Sequence, residues 1–160
     1  MDEELINAAT TLGELLSATS LTVTTAESCT AGWVGSALAA VSDSTRFYNC
    51  GFITYTDAAK QRILNVSPHT LANHSAVSEA TVIEMARGVR SLAGDNIGIA
   101  VTGYAGPDGG DDGTPAGTVW FGWCLDDESV CTSQKWFRGN SEEVVRKAAL
   151  YCITELTRIL

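Results

Sequence analysis

The chain is poor in the residues that mark several common chemistries. Two histidines and three prolines stand among 160 residues, and ten Lys and Arg face nineteen Asp and Glu. A net charge of −9 with no basic cluster leaves nothing to release counterions from a phosphate backbone, so no nucleic-acid partner is expected. No apolar run is long enough to span a membrane, and the start Met1-Asp2-Glu3-Glu4 lacks the basic segment of a signal peptide. No membrane partner and a cytoplasmic location are therefore expected. The five cysteines, at 29, 50, 124, 131 and 152, form an odd set without a Cys-x-x-Cys pair. That excludes a disulfide framework and a zinc ribbon and points to reduced, mostly buried thiols. His69 and His74 are five positions apart and do not stack on one helix face. Asp108, Asp111 and Asp112 lack the spacing of a calcium loop. No metal and no cofactor are expected.

What remains is ordinary globular material. The composition is 45% hydrophobic and 18% charged, and the length suits one compact domain over residues 1–160. Leu5, Ala9, Leu12 and Leu16 keep helical spacing and predict an amphipathic helix over about 3–18. A strand is expected at about 20–25 and a helix at about 30–41, then a strand over 47–55. Thr56 can cap a short helix carrying Lys60 and Ile63, and Ser67-Pro68 opens another. Ser78 opens a longer helix with Val82, Met85, Ala86, Val89 and Leu92 on one face. A buried strand over 96–102 leads into a loop, Gly103 to Gly113, with five glycines. Residues 118–125 and 130–137 read as a hairpin. Asn140 and Glu143 have the spacing of a capping box before a final helix whose stripe is Val145, Ala148, Ala149, Cys152, Leu156 and Ile159. Strands interleaved with helices plus a late hairpin predict an α/β fold, a three-layer α/β/α domain with a mixed sheet.

The most informative segment is Thr24-Thr25-Ala26-Glu27-Ser28-Cys29-Thr30-Ala31-Gly32. A strand running through hydroxyl, thiol and glycine residues into a helix presents Ser28 near a helix N-terminus, where free N–H groups and the positive end of the macrodipole lie. Ser28 can there cap the helix, cradle an anion, or attack a carbonyl while backbone N–H groups hold the oxyanion. Cys29 is a second potential nucleophile at the same place. Three polar clusters fall at strand ends, where open α/β sheets bind ligands: Ser28, Tyr55 with Lys60, and the glycine loop after Thr102. Ser28 with Lys60 supplies the parts of a serine–lysine hydrolase, in which a buried lysine of lowered pKa takes the serine proton and Tyr55 supports it. The rival reading is a surface lysine beside a structural cap.

The ordered succession Ala-Glu-Ser-Cys-Thr-Ala-Gly, Gly-Phe-Ile-Thr-Tyr-Thr-Asp-Ala-Ala-Lys, Ala-Val-Ser-Glu, Thr-Gly-Tyr-Ala-Gly-Pro-Asp-Gly and Pro-Ala-Gly-Thr-Val-Trp-Phe resembles the CinA C-terminal domain family over nearly the whole chain. The resemblance implies an α/β/α domain that hydrolyses the carboxamide of nicotinamide mononucleotide to nicotinate mononucleotide and ammonia in pyridine nucleotide salvage, without a metal. It places the catalytic roles on Ser28, Tyr55 and Lys60 and the strand-end hydroxyl on Thr102. Cys29, Thr30, Thr102, Gly103, Gly106 and Arg146 are the candidate substrate-binding positions. The expected partner is a small molecule, and a homo-oligomer is left open. The related sequences show Gly-Asp-Arg where this chain has Gly139-Asn140-Ser141, which removes an arginine able to hold a phosphate with two parallel bonds. The alternatives are a catalytically silent paralogue that binds a nucleotide or a protein, and an amidase for a different small amide.

Overall fold

A computed structural model describes all 160 residues. Its first helix, α1 (Glu3–Ala18), is capped by Asp2 and buries Leu5, Ala9, Leu12 and Leu16. Strand β1 (Val23–Glu27) leads through a five-residue turn to helix α2 (Trp33–Ala39), and a 3-10 turn at Ser44–Arg46 precedes strand β2 (Tyr48–Ile53). Three helices follow: α3 (Asp57–Leu64), α4 (Pro68–His74) and α5 (Glu79–Ala93), each opened by the side chain of Thr56, Ser67 or Ser78. Strand β3 (Ile97–Gly103), the hairpin β4 (Thr118–Cys124) and β5 (Val130–Trp136), and helix α6 (Ser141–Ile159) complete the chain. No helix is long and apolar enough to cross a membrane.

The five strands run in the order β2-β1-β3-β4-β5. β1 is parallel to both neighbours, whereas β3–β4 and β4–β5 are antiparallel, giving the expected mixed sheet. Strand alternation divides the interior in two. Val23, Ile97, Ile99, Val101, Val119, Phe121 and Trp123 pack beneath α1, α2 and α6. Ala26, Ala100 and Cys124 face the other way, against Val82, Met85, Ala86 and Val89 of α5. The three layers are thus helices, sheet and helices. From β1 the chain crosses to β2 on one side and returns to β3 on the other. This is the reversal of strand order at which open α/β sheets form ligand crevices beyond their carboxyl ends. Ser28 stands directly at that point.

Several boundaries differ from the sequence expectation. The first strand lies at 23–27 rather than 20–25, and α2 starts at Trp33 rather than near 30 because Ser28 to Gly32 form a turn. Ala31 (φ 44) and Gly32 (φ 103) lie in the left-handed region there and stop the helix from reaching back to Ser28. Leu92, placed on the buried face of α5, is 51% exposed and lines a surface cavity with Ile63 and Leu64 of α3. On α6 the inward position is Val144, fully packed, rather than the half-buried Val145.

Helix α3 carries Lys60 and is seated against α5 at Gly88, where a Cβ would run into the Leu64 carbonyl oxygen. Gly88→Ala is therefore expected to destabilise the protein by about 1–3 kcal/mol, since backbone must move to admit the methyl group. Urea unfolding midpoints of the two proteins check this, and an unchanged midpoint would show that α3 is not held at this contact.

Candidate active site

Ser28 is fixed by the strands on either side of β1. Its N–H donates to the Val101 carbonyl of β3 at 3.0 Å, and the Thr54 N–H donates to the Glu27 carbonyl at 2.9 Å, extending both parallel ladders to the last residues of β1. The serine is 7% exposed. Across from it, the first turn of α3 points Lys60 back towards the sheet. Its Nζ lies 3.0 Å from Ser28 Oγ, 3.0 Å from the Thr54 carbonyl and 3.4 Å from the Tyr55 carbonyl. The lysine is 1% exposed, and burial pushes its pKa below the ordinary lysine value, a trend that the nearby carboxylate of Asp57 opposes. No carboxylate forms an ion pair with it.

The three oxygens around Nζ match the three N–H bonds of an ammonium, which donates to Ser28 Oγ and to the two carbonyls. In the neutral amine two N–H bonds keep the carbonyls and the lone pair faces the Ser28 hydroxyl. After it takes the serine proton, its third N–H faces the same oxygen. The Ser28 hydroxyl otherwise has only the Tyr55 carbonyl, at 3.5 Å, a weak acceptor at that distance.

Tyr55 acts differently from the expectation. Its side chain is 65% exposed, and the support it gives the lysine comes from its main-chain carbonyl. The ring is left facing solvent.

Glu27 went unnoticed in the sequence. It is 2% exposed, and its carboxylate accepts from Thr30 Oγ1 (2.6 Å), Val34 N (2.9 Å) and Gly35 N (3.0 Å). An acidic side chain one residue before a helix-opening turn is a capping signal. Its presence corrects two expectations. The N–H groups at the start of α2 are occupied by Glu27 and do not face a ligand, and the Thr30 hydroxyl serves Glu27 rather than substrate. The N–H groups of Cys29, Thr30 and Gly32, in the turn itself, donate to no main-chain carbonyl.

The remaining positions separate clearly. Cys29 packs against the core beneath the turn, and burial together with the Glu27 carboxylate pushes its thiol up to about 12. It is not a thiolate nucleophile. The Thr102 hydroxyl donates to the Ala76 carbonyl at 2.8 Å, tying β3 to the segment before α5. Gly103 ends β3 where a Cβ would sit 2.7 Å from the Thr118 carbonyl oxygen, so its lack of a side chain serves the β3–β4 approach. Gly106 (φ 106) precedes a cis bond to Pro107 in the loop that follows. Tyr104 folds back inside this loop, with its hydroxyl over Gly110 beside Asp112. Arg146 is not free for substrate: Asp2 and Glu4 hold its guanidinium, joining α6 to the start of α1. No group of three or more His, Cys, Asp or Glu side chains comes together as a metal site.

The match to the CinA C-terminal domain model extends over residues 6–160. The chain belongs to that family. It is 46% identical over 154 residues to Protein YdeJ of Escherichia coli K12, covering 96% of this chain and 89% of that protein. It is 39% identical over 155 residues to the nicotinamide-nucleotide amidohydrolase PncC of the same organism, covering 97% and 94%. Among solved structures, a competence damage-inducible protein A from Klebsiella pneumoniae superposes with a TM-score of 0.95 at 47% identity, covering 96% of this chain and 95% of that one.

The packing of Cys29 has a direct consequence. At about pH 8 iodoacetamide should leave Cys29 unmodified in the native protein while alkylating it readily in urea, because only the thiolate reacts. Peptide mapping by mass spectrometry reads the site. Rapid native labelling of Cys29 would return it to the list of nucleophiles.

Proposed function

We propose that the protein is an amidohydrolase of the nicotinamide-nucleotide type, using Ser28 as nucleophile and Lys60 as its base. The observation that carries this is the buried Lys60 Nζ at 3.0 Å from Ser28 Oγ, with no ion-paired carboxylate and two carbonyls within reach. A structural lysine would be paired or would reach water. The similarity to PncC proteins supports the choice of amide and of carrier.

In the proposed reaction Ser28 Oγ bonds to the carboxamide carbon and its proton passes to Lys60. Collapse of the tetrahedral intermediate breaks the C–N bond, and Lys60 returns the proton to the departing ammonia. Water then attacks the acyl-serine, again deprotonated by Lys60, releasing the carboxylate and regenerating Ser28. The exposed Tyr55 ring stands at the mouth as a contact for the aromatic ring of the substrate. The reduced thiols fit a cytoplasmic enzyme acting on a small molecule as a single domain.

A second reading is an amidase for a carrier without phosphate. It is favoured by the engagement of Arg146 with Asp2 and Glu4, and by Asn140, which spends its side chain on the Glu143 N–H of the α6 capping box.

Ser28→Ala should lower amide hydrolysis by about a thousandfold or more, with little change in unfolding midpoint. Lys60→Arg should be nearly as inactive as Lys60→Ala, since arginine keeps its proton. In the wild type, kcat/KM should rise with pH as Lys60 deprotonates, with a midpoint below that of an ordinary lysine because the folded pKa is lowered. Ammonia release is the measurement. An active Lys60→Arg enzyme would remove the lysine from the mechanism.

Ser141→Arg should lower the KM for nicotinamide mononucleotide by about ten- to a hundredfold, the worth of one charge-assisted contact, and leave the riboside unaffected. Equal effects on both compounds would mean that this turn does not read phosphate.

A further inference from the structure

The α2 N-terminus is filled from within. A helix start usually offers its first N–H groups to an external anion, yet here the Val34 and Gly35 N–H groups both end on the Glu27 carboxylate. The same carboxylate accepts the Thr30 hydroxyl. Glu27 therefore holds the turn at two places, its middle and its exit into the helix. Two main-chain bonds complete the turn, from the Ala31 N–H to the Ser28 carbonyl and from the Trp33 N–H to the Thr30 carbonyl, both at 3.0 Å. Every main-chain donor from Ala31 to Ser36 is thus used except that of Gly32, and the N–H groups of Cys29 and Thr30 are left without a carbonyl, with the Cys29 sulfur beside them.

We propose that Glu27 is a positioning residue for the hydrolytic reaction: its carboxylate fixes the Ser28–Gly32 turn so that the N–H groups of Cys29 and Thr30 stand ready for the oxyanion that forms when Ser28 attacks. This rests on the reading of Ser28 as nucleophile. The carboxylate closes the helix start as an anion site, so the developing charge falls to the turn. It touches neither substrate nor Lys60, and acts only through the geometry of the backbone it holds. The carboxylate is suited to this because all three of its partners donate. An amide in its place would offer one acceptor and one donor, and the donor would confront an N–H or the Thr30 hydroxyl.

The position also has little slack. A Cβ on Gly35 would come within 2.6 Å of the Tyr48 hydroxyl and 3.4 Å of Glu27 Oε2. The carboxylate is confined between α2 and the β2 side chains, and aspartate, one methylene shorter, would lose reach to α2.

The test is the rate at which a small alkyl fluorophosphonate labels Ser28 in the full chain, followed by intact mass and peptide mapping. In that step Ser28 Oγ bonds to phosphorus, fluoride leaves, and the serine proton passes to Lys60, so nucleophile and oxyanion donors are both needed and no natural substrate is. Glu27→Gln and Glu27→Asp should slow labelling by about thirtyfold or more, the scale on which oxyanion donors act. Thr30→Val, which keeps shape and removes one donor to Glu27, should slow it by about three- to tenfold, and Thr30→Ser should restore it to within about twofold. The pH midpoint of labelling should stay that of the wild type in every variant, because Lys60 is untouched; a role as proton acceptor would move it. Unfolding midpoints identify any Glu27 variant that fails to fold, and the Thr30 pair then decides. Wild-type rates in Glu27→Gln, a shifted midpoint, or equal rates in Thr30→Val and Thr30→Ser would overturn the inference while leaving Ser28 as nucleophile. Absence of labelling at Ser28 in the wild type would overturn both.

Discussion

Strand β1 has no solvent on any side. β2 and β3 flank its edges, helices cover its faces, and all five of its residues are buried. A polar group placed there is costly to leave unpaired, and of the three polar side chains on this strand only the Thr25 hydroxyl finds no partner. Thr24 donates to the Cys50 carbonyl, and Glu27 collects its donors from the turn and from α2. The polar end of β1 is therefore organised by necessity. The arrangement that satisfies Glu27 is also the one that delivers Ser28 to the sheet's carboxyl edge at the reversal of strand order.

The same economy applies to Lys60. Burial disfavours the charged form of the amine and lowers its pKa, which is the direction a proton acceptor needs. The two carbonyls accept from it in either protonation state, so the group can gain and lose a proton without rearranging its surroundings. The chain carries a net charge of −9, while the Lys60 amine beside Ser28 is screened from solvent by burial.

Much of this was readable from residue order. The helix stripes of α1, α5 and α6, the caps at Thr56, Ser67, Ser78 and Asn140, and the late hairpin are local signals, and each survives in the fold except at Leu92 of α5 and Val145 of α6. The pairing of Ser28 with Lys60 was legible only as a set of chemically matched parts, since the contact spans 32 positions. Three features were not legible. The exact start of α2 depends on Ala31 in a left-handed conformation, which alanine rarely adopts. The work of Tyr55 is done by its carbonyl, and a carbonyl leaves no mark on sequence. The engagement of Arg146 depends on α1 and α6 lying side by side, which brings residues 2 and 146 together.

Because the groups that hold Lys60 are main-chain carbonyls, the solvent-facing side chain at 55 is free to drift without disturbing the lysine. Thr54 keeps its hydroxyl buried without a partner, and Tyr55 turns its ring outward. Substitution at 55 therefore changes the surface near the Ser28–Lys60 pair while the pair itself stays constant. Descendants of such a scaffold would diverge in what they admit well before they diverge in how they react.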